Sequence, residues 1–226
     1  MPTLFLLRHI KSQWNKENRF SGWSDGPLDE DEVYEAKSLG DKIFVRFRID
    51  SIYCSPLFRN MDTLARMFEF GSEKYPIFVH LDGGKMQNWG HYIDISTNDV
   101  PVFVSEKLNE RYYGRLQGLN KEEVIKKYGE KLVHLWRRSY KKAPPGGESL
   151  KDVFKRTTPF YKKYIERDLK QGKNVLVVAS HNSLRAIAKY VEKISDEKII
   201  DFEIPYAGLI QYEFDEKLKL VTKTIL

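Results

Sequence analysis

The run NVLVVAS, residues 174–180, is the most strand-like stretch of the chain, and it passes directly into HNSLRAIAKYVEKI, which has the spacing of an amphipathic helix. Further apolar runs that indicate strands are Thr3–Leu7, DSIYCS, PIFVHL, VPVFVS, GLIQYEF and LVTKTIL. Helical patterns separate several of these runs. Alternating strands and helices predict an α/β fold, here a three-layer sandwich with a mostly parallel central sheet flanked by helices.

The length of 226 residues predicts a single domain, residues 1–226, that is large enough to bury a full core. Two long segments, KEEVIKKYGEKLVHLWRRSY and GESLKDVFKRTTPFYKKYIERDL, have helical spacing and predict long amphipathic helices. The single cysteine, Cys54, excludes an internal disulfide and fits a reducing compartment. The sequence has no signal peptide pattern and no run long enough to span a membrane, so we predict a cytoplasmic protein.

The charge balance suits an anionic partner. The chain has 38 Lys and Arg residues against 32 Asp and Glu residues, which gives a formal charge of +6. This excess is too small to predict nucleic-acid binding by itself. We therefore expect a small anionic ligand, and neither nucleic acid nor a membrane as a partner.

Two of the predicted strands, LFLLRH and VLVVASH, end at a histidine. Ligands of open α/β sheets bind beyond the carboxyl ends of the strands, so His9 and His181 meet at one site if these strands are neighbours. Arg8 adds a charged fork suited to phosphate, and the helix that opens at Asn182 and Ser183 offers backbone N–H groups to an anion. Other cations lie near predicted loops and helix ends, namely Arg59, Arg111, Lys121, Arg137 and Arg138.

Five blocks occur in one order: LLRHIKSQWN, RFSGWSDGPLDE, LNERYYGRLQGLNKEEVIKKYG, VHLWRRSYKKAPPGGESL and SHNSLRAI. Together they resemble the cofactor-dependent phosphoglycerate mutases of the histidine phosphatase superfamily. The resemblance runs from Leu4 to about Arg185 with one long interruption. The Arg-His pair alone indicates only the superfamily, which consists mostly of phosphatases, whereas the third and fourth blocks are much more specific.

The resemblance implies a role for each matching residue. His9 would be the nucleophile that carries the phosphoryl group, and Glu110 would exchange a proton with the substrate hydroxyl. Arg8, Arg59 and His181 would neutralise the charge on the transferred phosphoryl group. Asn15, Ser21 and Gly22 would line the substrate pocket, and Asn182 would lie against the bound phosphate. The far phosphate and carboxylate would be bound by Arg111, Tyr113, Lys121, Arg137 and Arg138.

The family also implies the ligands and partners. The substrate would be a small phosphorylated anion, 3-phosphoglycerate or 2-phosphoglycerate, and 2,3-bisphosphoglycerate would serve as the phosphoryl primer. No metal is expected, since arginines would neutralise the charge and the sequence has no cluster with metal-ligand spacing. Relatives often form dimers or tetramers, so the resemblance also allows a homodimer or homotetramer for this chain.

The sequence departs from the family pattern at four places. Ile10 stands where the family usually has glycine, and we expect the strand to continue through it in ordinary extended geometry. One residue is missing after His181. An inserted segment at about residues 71–100 predicts either a lid or subunit contact, or a surface hairpin. In the first case its ligand contacts would come from His80, Lys85, Trp89 or His91. The printed sequence ends at Leu226, without the basic tail that covers the site in many mutases.

The sequence therefore leaves three functions open. The substrate-binding residues of the third and fourth blocks favour the mutase. The shorter turn after His181 and the early end favour a phosphatase or bisphosphoglycerate phosphatase on the same scaffold. The third alternative is a weakly catalytic homologue that binds phosphorylated ligands, and the presence of His9, Glu110 and the arginines argues against it.

Overall fold

A computed structural model describes residues 1–89 and 96–226 of the chain. Within these residues, seven strands form one sheet. They are β1 (Thr3–Arg8), β2 (Ser51–Cys54), β3 (Tyr75–His80), β4 (Asp99–Val104), β5 (Val175–Ala179), β6 (Leu209–Phe214) and β7 (Leu220–Ile225). The strand order is β3-β4-β2-β5-β1-β6-β7. The first five strands pair in parallel, and β6 and β7 pair antiparallel to their neighbours, which confirms a mostly parallel sheet.

The described residues form nine α-helices. They are α1 (Gln13–Lys16), α2 (Glu35–Gly40), α3 (Phe58–Gly71), α4 (Gly84–Trp89), α5 (Lys121–Tyr128), α6 (Glu130–Arg138), α7 (Leu150–Phe160), α8 (Glu166–Lys170) and α9 (His181–Val191). No helix in the part of the chain that the structure describes is long and apolar enough to cross a membrane.

The central strands are buried on both faces because successive side chains point to opposite sides. Leu4 and Leu6 of β1 belong to the core that contains residues of α7 and α9, while Phe5 and Leu7 belong to the core that contains residues of α2 and α3. Strand β5 divides in the same way between the two cores. These two cores account for the three-layer sandwich that the sequence predicts.

The prediction of one long helix after Asn120 is wrong, because the chain turns at Gly129. Gly129 has a φ of +84°, so α5 ends at Tyr128 and α6 starts a new direction at Glu130. Such a φ lies in the left-handed region, which glycine reaches without the steric conflict that a Cβ brings. The break lets the amino end of α5 and the carboxyl end of α6 face the same cavity, described below.

The other long helix is continuous but irregular. Pro159 lies inside α7, and residues Tyr161–Ile165 form a π-helical turn before α8 begins. Proline lacks an N–H donor, so the helix also loses the backbone hydrogen bond that residue 159 would make to the preceding turn.

The described part of the predicted insertion extends the sheet at one side. Strand β3 is the outermost strand and pairs with β4 from Tyr75↔Asp99 to His80↔Val104. Helix α4 follows β3, and His91 lies outside the described residues. The prediction of a single domain remains a prediction, supported by a sheet that joins strands from Thr3 to Ile225.

Candidate active site

The two strands that end in histidine are neighbours. Strands β1 and β5 pair in parallel, with Arg8 opposite Ala179, and the backbone N–H of His9 donates to the carbonyl of Ala179 at 3.3 Å. Helix α9 begins at His181, immediately after β5. His9 and His181 therefore reach the same end of the sheet, as the sequence predicts.

A cavity of about 180 Å³ opens at this end, and all of the predicted site residues except Arg111 line it. Strand β1 supplies Arg8, and the amino ends of α3, α5 and α9 supply Arg59, Lys121 and the pair His181–Asn182. Helix α1 supplies Asn15, the end of α6 supplies Arg137 and Arg138, and loops supply His9, Ser21, Gly22, Glu110 and Tyr113. His80 and Lys85 of the insertion are not among the residues that line the cavity, and the side chain of Trp89, like His91, lies outside what the structure describes.

His9 is held as a neutral base. Its Nδ1 lies 2.6 Å from the carbonyl oxygen of Ile10, and because a carbonyl can only accept, Nδ1 must carry the proton. The unprotonated nitrogen is then Nε2. Burial of the ring, followed by the positive charges of Arg59 and Arg8, lowers the pKa of His9 well below its usual value. The arrangement can provide a nucleophilic imidazole at neutral pH.

Ile10 does not remodel this end of the strand. Strand β1 ends at Arg8, so the expectation that it continues through residue 10 is wrong. Ile10 nevertheless has no positive φ. Its backbone N–H donates to the hydroxyl of Thr63 at 3.1 Å, and its side chain is fully buried in the core beside Phe5 and Leu7. A β-branched residue is compatible with that conformation.

Arg8 and Arg59 are fixed before any ligand arrives. Arg59 is 2% exposed, and its guanidinium donates to the carbonyls of Gly22 at 2.7 Å and Ser24 at 3.2 Å. Arg8 donates to the carbonyl of Ile204 at 2.6 Å, and its guanidinium lies 3.7 Å from the ring centre of Tyr206. Backbone carbonyls orient both groups, and the carboxylate of Asp25 also lies 3.7 Å from Nη1 of Arg59. The two guanidinium groups remain available to an anion on the cavity side.

Glu110 is 8% exposed and faces the amino end of α9. Its Oε1 accepts from the side-chain Nδ2 of Asn182 at 2.6 Å and from the backbone N–H of Arg111 at 2.7 Å. The backbone N–H of Asn182 also donates to it at 3.3 Å. These contacts fix a carboxylate in the same cavity as His9.

Asn182 differs from its predicted role. The missing residue lets α9 begin at His181, and the amide of Asn182 is then engaged by Glu110, while its Oδ1 accepts from Arg185 at 3.1 Å. Asn182 still lines the cavity. Its main contact is with the carboxylate, a contact that the sequence reasoning missed.

A second group of cations lies on the cavity wall, made of Lys121, Arg137 and Arg138. Burial, and then the charges of Arg137 and Arg8, lower the pKa of Lys121 to about 8. Burial and Arg137 also lower the pKa of Arg138. A group of cations that depress one another's pKa in this way is suited to receiving an anion.

Arg111 is not among the residues that line the cavity, and its assignment as a ligand residue stays a prediction. It is fully buried, and its Nη2 donates to the carbonyl of Arg137 at 2.7 Å and to the hydroxyl of Tyr113 at 3.1 Å. Since both partners line the cavity, Arg111 supports them from behind.

The sequence reasoning missed four lining residues: Arg19, Phe20, Glu203 and Tyr206. The last two lie in the loop before β6, which runs antiparallel to β1. The start of an antiparallel neighbour lies at the carboxyl end of β1, so the turn EIPYAG was the available signal. The prediction of strands did not include their direction.

The family model described as "Histidine phosphatase superfamily (branch 1)" matches residues 4–81 and 92–224. The chain belongs to the histidine phosphatase superfamily. The stretch between the two matched parts falls inside the predicted insertion. Membership confirms the resemblance that the five sequence blocks indicate.

Within this superfamily, a protein of Methanococcus vannielii named 2,3-bisphosphoglycerate-dependent phosphoglycerate mutase is 46% identical over 218 residues, covering 96% of this chain and 92% of that protein. A protein of Chlamydia muridarum with the same name is 42% identical, covering 96% of each. Solved structures with the same fold include YhfR of Bacillus stearothermophilus, with a TM-score of 0.75 and 21% identity, covering 98% of this chain and 95% of that chain. A mycobacterial glucosyl-3-phosphoglycerate phosphatase also has a TM-score of 0.75 and 21% identity, covering 100% and 98%.

Proposed function

We propose that this chain is a 2,3-bisphosphoglycerate-dependent phosphoglycerate mutase that interconverts 3-phosphoglycerate and 2-phosphoglycerate. The observation that carries the proposal is a single cavity in which a neutral, buried His9 lies with two sets of cations, Arg8 and Arg59 on one hand and Lys121, Arg137 and Arg138 on the other. Two relatives with this name, at 46% and 42% identity over nearly the whole chain, support it.

The residues of the cavity fit the successive steps of a phosphoryl transfer that starts at His9. Nε2 of His9 attacks phosphorus, the new N–P bond forms as the O–P bond to the substrate breaks, and the leaving oxygen takes a proton. Glu110 is the group we assign to this proton transfer, because its buried carboxylate lies in the same cavity. Arg8 and Arg59 stabilise the charge on the transferred group without moving, since backbone carbonyls already hold them.

The two sets of cations also fit a ligand that carries two phosphates. When bound, 2,3-bisphosphoglycerate supplies the phosphoryl group that loads His9. Lys121, Arg137 and Arg138 would hold the remaining anionic groups of the ligand, and His181 would contact the transferred phosphoryl group. The cavity of about 180 Å³ limits the ligand to a small molecule.

The test is to incubate the protein with 2,3-bisphosphoglycerate and measure acid-labile phosphate on the chain, together with mutase turnover with and without primer. We expect labelled His9 and primer-dependent turnover, and no label on a His9→Asn variant. Label that is released only to water would support the phosphatase instead. A wild-type chain that takes no label would contradict both enzymes and favour the binding homologue.

A further inference from the structure

A carboxylate lies among the cations of the cavity. Among the described residues that line the cavity, Glu110 and Glu203 are its two acidic members, and they differ in their surroundings. Glu110 accepts three N–H groups and is 8% exposed, whereas the side chain of Glu203 is 49% exposed. Glu203 is therefore the more exposed and less restrained of the two acids.

Glu203 contacts one residue from each part of the cavity wall, the cation Arg138 and the imidazole of His181. Its Oε1 forms an ion pair with Nη1 of Arg138, at the end of α6. Its Oε2 lies 3.1 Å from Nε2 of His181, at the start of α9, although that nitrogen makes no well-aligned hydrogen bond. The carboxylate thus links the two groups that the proposed function assigns to the two ends of the ligand.

The surroundings of the two partners are otherwise cationic. His181 is crowded by Arg8, Arg185, Arg138 and Arg111, and Arg138 by Arg137, Arg111 and Arg8. A carboxylate at this place stabilises the empty cavity, because it offsets charges that repel one another. The same carboxylate repels an incoming phosphate, which carries the same sign of charge.

We propose that Glu203 is an internal counter-anion of the phosphate site: in the free protein it occupies Arg138 and His181, and a phosphorylated ligand must displace it to bind. Glu203 is then a residue that sets affinity for the ligand, by making binding an exchange of one anion for another. This inference rests on the anion-binding role of the cavity proposed above, and it does not depend on mutase turnover.

The displacement is sterically open. Glu203 lies in a loop between the turn Lys198–Asp201 and β6, and about half of its side chain is exposed to solvent. A rotation of a half-exposed side chain needs no rearrangement of the core. Solvent also screens the charge of Glu203, so we expect it to change the affinity for phosphate by about tenfold and not by more.

The experiment compares Glu203→Gln with the wild type by titrating the full chain with inorganic phosphate in a calorimeter, at fixed pH and ionic strength. The matched control is Asp201→Asn, which removes the same charge from a neighbouring exposed residue that does not line the cavity. We expect Glu203→Gln to bind phosphate about tenfold more tightly, and Asp201→Asn to stay within about twofold of the wild type.

Equal or weaker binding by Glu203→Gln would overturn the inference, and so would the same gain in both variants, because that would be a general charge effect. A thermal melt of each variant verifies the fold. Inorganic phosphate needs no catalysis, so a protein without mutase activity can still support the inference. Conversely, an active mutase whose phosphate affinity ignores Glu203 would refute it and leave the proposed function intact.

Discussion

We predict that Lys121 makes the affinity for the proposed substrate depend on pH just above neutrality. Its pKa of about 8 means that, in the free protein, about nine in ten molecules carry the charge near pH 7 and about one in ten near pH 9. Lys121 carries its positive charge below this pKa and loses the charge above it. The ligand phosphate, whose second pKa is near 6, stays a dianion across this range. Apparent affinity for 3-phosphoglycerate should therefore fall about tenfold between these two pH values.

The assay is the KM, or the calorimetric Kd, of 3-phosphoglycerate at about six pH values and constant ionic strength. Lys121→Arg is the matched control, because a guanidinium keeps its charge throughout and should flatten the profile. Lys121→Met should be flat as well, at the weak affinity that the wild type reaches at high pH. A flat wild-type profile, or an unchanged slope in Lys121→Arg, would refute the assignment of Lys121 to ligand binding.

Three further changes have defined outcomes. Glu110→Gln keeps the size of the side chain but removes proton exchange, so kcat should fall by about 10²-fold or more in steady-state assays while KM changes much less. Arg59→Lys cannot donate to both backbone carbonyls and the phosphoryl group, and we expect kcat to fall by about 10²-fold. We also expect a lower melting temperature, because at least one buried carbonyl loses its donor. Gly114→Ala combines a φ of +55° with a clash against residues 145–147, whereas Gly172→Ala has a φ of +79° and open space. Thermal unfolding should show Gly114→Ala less stable by about 2–4 kcal/mol and Gly172→Ala by about 1 kcal/mol, and equal losses would contradict the packing argument.

Local patterns were enough to predict the central sheet. The apolar runs that became β1 and β5 are buried on both faces, and they end at the cationic and titratable residues of the site. Burial decides where such strands can lie, so their sequences carry most of the information about the fold. The resemblance then assigned residues to one cavity, and the structure places all of them on its wall apart from Arg111.

Some residues of the cavity wall were missed because they depend on contacts between segments that are distant in sequence. Glu203 and Tyr206 reach the cavity because β6 runs antiparallel beside β1, and strand direction is not written in a single apolar run. Arg111 is absent from the cavity wall and donates to Tyr113 and to the carbonyl of Arg137, which a sequence pattern does not indicate. A glycine at position 129 is a signal for a helix end, but the helical pattern continues on both sides of it. The pattern alone therefore did not predict the change of direction.

Strand β3 lies at the edge of the sheet, away from the strands that lead to His9 and His181. Strands β4 and β2 stand between it and β5, and three strands, with β5, stand between it and β1. Changes to the outer edge of β3 itself are therefore separated by at least two strands from the strands that lead to His9 and His181. The loop after β3 differs, because Asp82 accepts from the backbone N–H of Glu106, four residues before Glu110. A lineage can vary the β3 edge while its reaction is preserved, and a designer who attaches a reporter peptide there can expect the wild-type turnover number.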